Sequence, residues 1–222
     1  MLLDVEALTV RFGGVEALAG VDLKVAQGEV LGLVGANGCG KTTLLNAICG
    51  VVRPAAGSIG FRGVQLAGLP MHEIARLGIA RTNQTARLFP MMTISENVAR
   101  ADASVAQDRL DEVLDQTGLI ARRSTLAGEL SLAEQRRLEV ARALARSPRL
   151  VLLDEPTSGL SPQETDEMIA LLAKHVLPGR AAILIEHKLP VLTALCPQAV
   201  LLDQGRMANT GPPAELFAAF VH

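Results

Sequence analysis

The run Gly35-Ala36-Asn37-Gly38-Cys39-Gly40-Lys41-Thr42 limits what this chain can fold into more than any other segment. Val30-Leu31-Gly32-Leu33-Val34 precedes it, a short apolar stretch of the kind that forms a buried parallel strand. The residues from Thr42 to Cys49 that follow read as the opening of a helix. A G-x-x-x-x-G-K-[ST] pattern between a strand and a helix is a backbone cradle for phosphate. Its glycines let consecutive N–H groups turn inward, and the helix adds its positive end. Lys41 is expected to reach the β- and γ-phosphates and Thr42 to offer its hydroxyl to Mg²⁺, with Gly35 to Thr43 forming the contact surface. The motif specifies a nucleoside triphosphate without saying which one.

The rest of the chain supplies a sheet around that loop. Leu3, Val5, Ala7 and Thr9 alternate with more polar neighbours, Gly13-Gly14 marks a turn, and residues 21–25 alternate again. Leu150-Val151-Leu152-Leu153 and Ala181 to Ile185 read as further buried strands. Over about 94–146 the composition changes. Leu110, Val113 and Leu114, and later Leu138, Ala141 and Leu144, have helical spacing, and Pro148 ends the stretch. The expectation is a single domain over 1–222 with a helical insertion at roughly 85–146. A length of 222 residues suits one compact α/β unit.

A net charge of -2 supplies no broad basic field, so nucleic acid is not an expected partner. The three cysteines, Cys39, Cys49 and Cys196, have neither paired nor metal-like spacing, as in a reduced cytosolic chain. No run of 18 apolar residues occurs, and the N-terminus lacks the features of a secretory signal. The expected location is cytoplasmic, with any membrane role exercised through a partner.

Asp154-Glu155 ends the strand 150–153. An acidic residue at the carboxyl end of a parallel strand beside a phosphate loop suits Mg²⁺, usually through water, and Asp154 is assigned that role. Glu155 is the candidate general base for an attacking water.

With both motifs in place, the whole chain resembles the ATP-binding-cassette (ABC) ATPases. Leu130-Ser131-Leu132-Ala133-Glu134 stands where that family carries a signature close to L-S-G-G-Q, and Gln135 to Leu144 match its continuation. Glu155 to Ser161 resemble the loop that crosses between paired subunits, and Ile185-Glu186-His187 resembles the switch-histidine segment. Gln84 falls at the glutamine that joins the two lobes, and Phe12 where an aromatic stacks on adenine. The resemblance implies a P-loop NTPase core with a parallel sheet, an N-terminal antiparallel β lobe and an inserted helical lobe. It also implies ATP and Mg²⁺ as ligands, catalytic roles for Glu155, His187 and Gln84, and metal sensing by Gln84. Ser131 and Ala133 would face the nucleotide of a second ATPase subunit, and transmembrane permease subunits would be the other partners.

Arg11 to Gly14, Ala80 to Gln84, Arg87 to Pro90 and Thr93 to Val98 further resemble the ATPases of branched-chain amino acid importers, which work with an external solute-binding protein; related members handle urea and short amides. Three departures from the family pattern stand out. Ala133 replaces a glycine, Ser161 an Asp common in the crossing loop, and Asn83 a frequent aromatic. The intact own half and altered lent half suggest a heterodimer, although a homodimer remains open. Cys39 beside Lys41 should have its thiolate favoured. Phe89, Met91 and Met92 suit either a docking groove or core packing. Arg136, Arg137, Arg142 and Arg146 read as a solvated helix face. DNA-repair or translation cassettes carry long coiled insertions, zinc cysteines or paired cassettes, none of which is present. A clamping scaffold would not need Glu155 and His187, and no Asn-Lys-x-Asp guanine reader occurs.

Overall fold

The computed structural model describes residues 1–82, 88–102 and 105–220, the side chains of 219 and 220 excepted. Gln84, Asn83 and Arg87 lie outside the described residues. The N-terminal part pairs β1 (Leu3–Phe12) with β2 (Val15–Val25) through a tight turn at Gly13-Gly14. After β3 (Val30–Val34) and α1 (Lys41–Ile48), β4 (Ala56–Phe61) and β5 (Val64–Gln65) complete a four-stranded antiparallel sheet in the order β2-β1-β4-β5.

The alternation expected for β1 breaks midway. Ala7 adopts a left-handed φ of 47°, and its N–H leaves the ladder to donate to Asp22 Oδ1 at 2.8 Å. The pairing register shifts there, so the buried set runs Leu3, Val5, Leu8, Val10 rather than through Ala7 and Thr9. A one-residue bulge exchanges the two faces of a strand, and the apolar Leu8 and Val10 require that exchange.

The second sheet has six strands in the order β10-β9-β3-β8-β7-β6. β6 (Ile79–Arg81), β7 (Leu150–Asp154), β8 (Ala181–Ile185), β3 and β9 (Gln198–Asp203) run parallel, and β10 (Arg206–Gly211) closes the edge antiparallel. Its central strands are apolar on both faces because both are covered. Leu150 and Leu152 of β7 pack toward the antiparallel sheet, α1 and α2 (Met71–Arg76), while Val151 and Leu153 face the helical side. In β8, Ile183 and Ile185 pair with the first layer, and Ala182 and Leu184 with the second.

Between β6 and β7 the named elements are helical: α3 (Ile94–Ala99), α4 (Gln107–Gln116), two short 3₁₀ turns and α5 (Leu132–Leu144). Leu110, Val113, Leu114, Leu138, Ala141 and Leu144 are all buried, as their spacing requires. Later helices α6 (Pro162–Leu171), α7 (Leu189–Leu195) and α8 (Pro213–Phe220) cover the same face. Among the described residues, no helix is long and apolar enough to cross a membrane.

Helices α3, α5 and α6 each begin with a reciprocal capping box: Thr93 with Glu96, Ser131 with Glu134, Ser161 with Glu164. Ser161 thus serves as an N-cap as well as the Asp it replaces would, and Pro162 occupies the first helical position. The Thr93 and Ser161 backbone N–H groups, reinforced by the two hydroxyls, hold the Glu96 and Glu164 carboxyls below the usual carboxylate range. Depressed folded-state values stabilise the fold above the ordinary carboxylate pKa, and that contribution disappears as pH falls through them. Thr93→Ala should therefore cost about 1 kcal/mol in urea unfolding at neutral pH. The difference between wild type and Glu96→Gln should narrow below about pH 4.

Candidate functional site: a phosphate cradle at the carboxyl ends of parallel strands

The loops that carry the predicted chemistry leave the carboxyl ends of neighbouring parallel strands, where open α/β sheets bind ligands. The phosphate loop follows β3, His187 follows β8, and Asp154-Glu155 end β7. Gln84 comes after β6 in sequence, outside the described residues.

Two glycines make the cradle possible. Gly35 has φ 148°, and a Cβ there would lie 2.1 Å from Leu202 O and 2.7 Å from Cys39 Sγ. Gly40 has φ 112°, and a Cβ would meet Ala17 O and Leu18 Cδ2, both at 2.7 Å. The loop is thus pressed onto β9 on one side and β2 on the other, and only glycine fits. Ala36, Asn37 and Gly38 are exposed along its rim. Lys41 is 6% exposed, and its ammonium donates to the Gly35 and Ala36 carbonyls at 2.7 and 2.9 Å. Thr42 is exposed at the start of α1, and Thr43 is half-buried beside it.

Asp154 is 1% exposed. Its Oδ2 accepts from Arg81 Nη2 at 2.8 Å, and its Oδ1 lies buried without a hydrogen-bond partner. Arg81 also donates to Asn46 of α1, which ties the phosphate helix to the ends of β6 and β7. Thr42, Asn46, Arg81 and Asp154 line one cleft of about 630 Å³. The next residue, Glu155, turns through a left-handed φ of 50°. Its Oε1 lies 2.9 Å from His187 Nε2, so the candidate base and the candidate switch histidine are in direct contact. Phe12 is 51% exposed on the β1–β2 hairpin, flanked by the Arg11–Glu16 ion pair at 2.8 Å. Such exposure leaves its ring free to stack and rules out a core role.

At the signature, Ser131 caps α5, and Glu134 folds back so that its Oε2 accepts from the Ser131 N–H at 2.9 Å. Arg122 pairs with the other carboxylate oxygen. Burial pushes the Glu134 carboxyl up, but the Ser131 N–H, Arg122 and the Ser131 hydroxyl bring it below the usual range. A carboxylate therefore already sits on the positive end of α5. Ala133 is buried, and Leu132 is exposed.

The arginines of α5 do not form the solvated face expected of them. Arg136 is buried 3.6 Å from Glu139, Arg137 pairs with Glu167, and Arg146 lies 4.0 Å from Asp102. Arg142 and Arg100 each stand 5.6 Å from the centre of the Phe89 ring. Arg136 lies on the buried face of α5, while Arg137 and Arg142, and Arg146 just beyond its end, are half-buried. Phe89 and Met91 are exposed, Met91 at 82%, so neither is a core residue. Buried Asn97 knits this segment together, accepting from the Phe89 N–H and donating to the carbonyls of Phe89, Met92 and Thr93.

Sequence reasoning missed Arg81, Asn46, Glu134, Glu186 and Lys188 as contributors to these loops. A charged residue directly after a short apolar strand, the signal that marked Asp154, also marks Arg81 and Glu186. Nothing local distinguishes Lys188 or Asn46.

A cradle pressed between strands, a buried acidic strand end and an acid–histidine contact together define a nucleotide-hydrolysing P-loop domain. The family model described as ABC transporter matches residues 18–158, and the chain belongs to that family. It is an ATP-binding-cassette ATPase. The high-affinity branched-chain amino acid transport ATP-binding protein BraF of Pseudomonas aeruginosa is 36% identical over 237 residues, covering 97% of this chain and 93% of that protein. LivG of Escherichia coli, carrying the same description, is 36% identical over 239 residues, again covering 97% and 93%. Among solved structures, cbiO1 of Clostridium perfringens, part of the ABC transporter complex cbiONQ, superposes with a TM-score of 0.87 at 26% identity, covering 98% of this chain and 90% of that one.

The three thiols differ sharply in their surroundings. Burial pushes Cys196 up to about 12; it also raises Cys49, to about 11 against the opposing pull of Arg81. Cys39 Sγ is buried 3.9 Å from Lys41 Nζ, so access limits its reaction. Alkylation at pH 8 should modify Cys39 first and leave Cys49 and Cys196 largely unmodified, with ATP slowing the reaction. Mass mapping of the labelled peptides checks this, and prior labelling of Cys49 or Cys196 would contradict it.

Proposed function

We propose that this chain is the cytoplasmic ATP-hydrolysing subunit of a membrane importer, peripheral on the inner face of the membrane, for branched-chain amino acids or a related small solute. The observation that carries the reading is the contact between Glu155 and His187 beside the Lys41 cradle, on a chain similar to BraF and LivG along almost its entire length. Lys41 exchanges its two carbonyl partners for phosphate oxygens, the glycine-bearing loop supplies N–H donors, and Phe12 stacks on adenine. Glu155 takes a proton from the water that attacks the γ-phosphorus as the bond to the bridging oxygen breaks and ADP leaves. His187 steadies Glu155 and contacts the γ-phosphate, while Gln84 would sense the attacking water and the metal.

A magnesium ion fits the residues present. Such ions need few protein ligands when phosphates supply the rest; Asp154 and Thr42 line the same cleft, and the buried Asp154 Oδ1 has no hydrogen-bond partner. When bound, Mg²⁺ neutralises developing phosphate charge.

The permease subunits dock on the helical side, where exposed Phe89 and Met91 stand with Arg100 and Arg142 on the Phe89 ring. A solute-binding protein acts through those subunits. The second ATPase subunit is a different chain with a stronger signature, because Ala133 stands where the family's signature has glycine and Glu134 already covers the end of α5 that a partner's γ-phosphate would approach.

Glu155→Gln should keep ATP affinity within about twofold and lower phosphate release by about 100-fold or more. Unaltered release would remove Glu155 from its role. Ala133→Gly should raise turnover mainly at the partner's site, and unchanged turnover in the assembled transporter would count against the unequal heterodimer.

A further inference from the structure

Three consecutive residues after β8 grip the loop that follows Glu155. Glu186 is 3% exposed; its Oε1 accepts from the Thr157 N–H at 2.9 Å and from the Thr157 hydroxyl at 2.6 Å, while its Oε2 accepts from the His187 N–H at 3.2 Å. On the other side of the same peptide, Lys188 Nζ donates to Thr157 O at 3.1 Å, Thr165 Oγ1 at 2.9 Å and, more loosely, Leu160 O at 3.4 Å. Every polar group of Thr157, itself fully buried, is therefore held by one or other neighbour of His187. His187 in turn meets Glu155, whose own N–H donates to Ile185 O at 3.0 Å. The circuit is closed through Ser158, whose N–H donates back to Glu155 O at 3.1 Å.

We infer that Glu186 and Lys188 are positioning residues that lock the loop 157–160 to His187 and so fix the direction of the Glu155 carboxylate. This inference rests on the reading of Glu155 and His187 as the hydrolytic pair. Burying a carboxylate and drawing an ammonium onto backbone carbonyls is costly unless each finds partners, and apolar packing would hold a merely structural turn more cheaply. What the charges add is direction: three acceptors for one ammonium and three donors for one carboxylate leave Thr157 no alternative position. The same loop reaches the signature, since a Cβ at Gly159 would lie 2.8 Å from Leu132 Cδ2. Gly159 thus packs against Leu132 at the start of α5.

The test uses the full chain assembled with its second ATPase subunit, comparing Lys188→Met, Lys188→Arg and Glu186→Gln with wild type in steady-state hydrolysis and fluorescent-nucleotide binding. Lys188→Met should lower kcat by about 10- to 100-fold while KM and nucleotide affinity stay within about twofold, because small misplacements of catalytic groups cost rate rather than binding. Lys188→Arg, which keeps the donors, should recover most of the loss, and Glu186→Gln, which turns a donor toward the His187 N–H, should not. Unchanged kcat in Lys188→Met, or parallel loss of kcat and affinity without rescue by arginine, would overturn the inference. If Lys188→Met does not fold, Thr157→Val, which removes one hydroxyl, carries the same test with a smaller expected loss. A wild-type chain that binds but does not hydrolyse ATP when assembled with its second ATPase subunit would instead overturn the assignment of Glu155.

Discussion

A buried ammonium must have partners or it would give up its charge, and at Lys41 the partners are the Gly35 and Ala36 carbonyls of its own loop. Those carbonyls point inward only because Gly35 sits flush against Leu202 of β9 and Gly40 against Ala17 of β2. That seating in turn needs β3 held between β8 and β9, with the antiparallel sheet closing over it. The cation thus depends on the contact of two sheets, and the sheets are built so that the contact leaves the loop's rim open.

The same economy recurs at the other strand ends. Arg81 neutralises one oxygen of Asp154 and anchors Asn46, leaving the second oxygen without a hydrogen-bond partner. Glu155 leaves β7 through a left-handed turn and meets His187 at once. Where a helix end would otherwise present a positive site, at α5, the chain supplies its own carboxylate from Glu134. The phosphate loop thus keeps its rim exposed, while the start of α5 is capped from within the chain.

Much of this was legible in the sequence because it depends on short-range patterns. The glycine spacing of 35–40, the apolar runs of β3, β7 and β8, and the helical spacing at Leu110 to Leu144 each depend on residues within one or two turns of each other. The bulge at Ala7 was not legible, because the register of β1 is decided by Asp22 on the neighbouring strand. Nor were Arg136 and Arg142, whose burial comes from packing against Glu139 and Phe89 rather than from hydropathy. Ser131, which the family resemblance sets against a partner's nucleotide, is in the structure a helix cap, since a Ser followed by Glu three residues on satisfies its own backbone. The grip on Thr157 joins residues 29 positions apart, beyond any local signal.

The account turns on Lys41 surrendering its two carbonyls to phosphate. Titration of wild type and Lys41→Met with ATP, followed by calorimetry, tests that most directly. The account predicts saturable binding by wild type and at least about a tenfold loss of affinity in the variant, as removal of a charge-assisted phosphate contact implies. Equal affinity in the two proteins, with the fold intact, would contradict it.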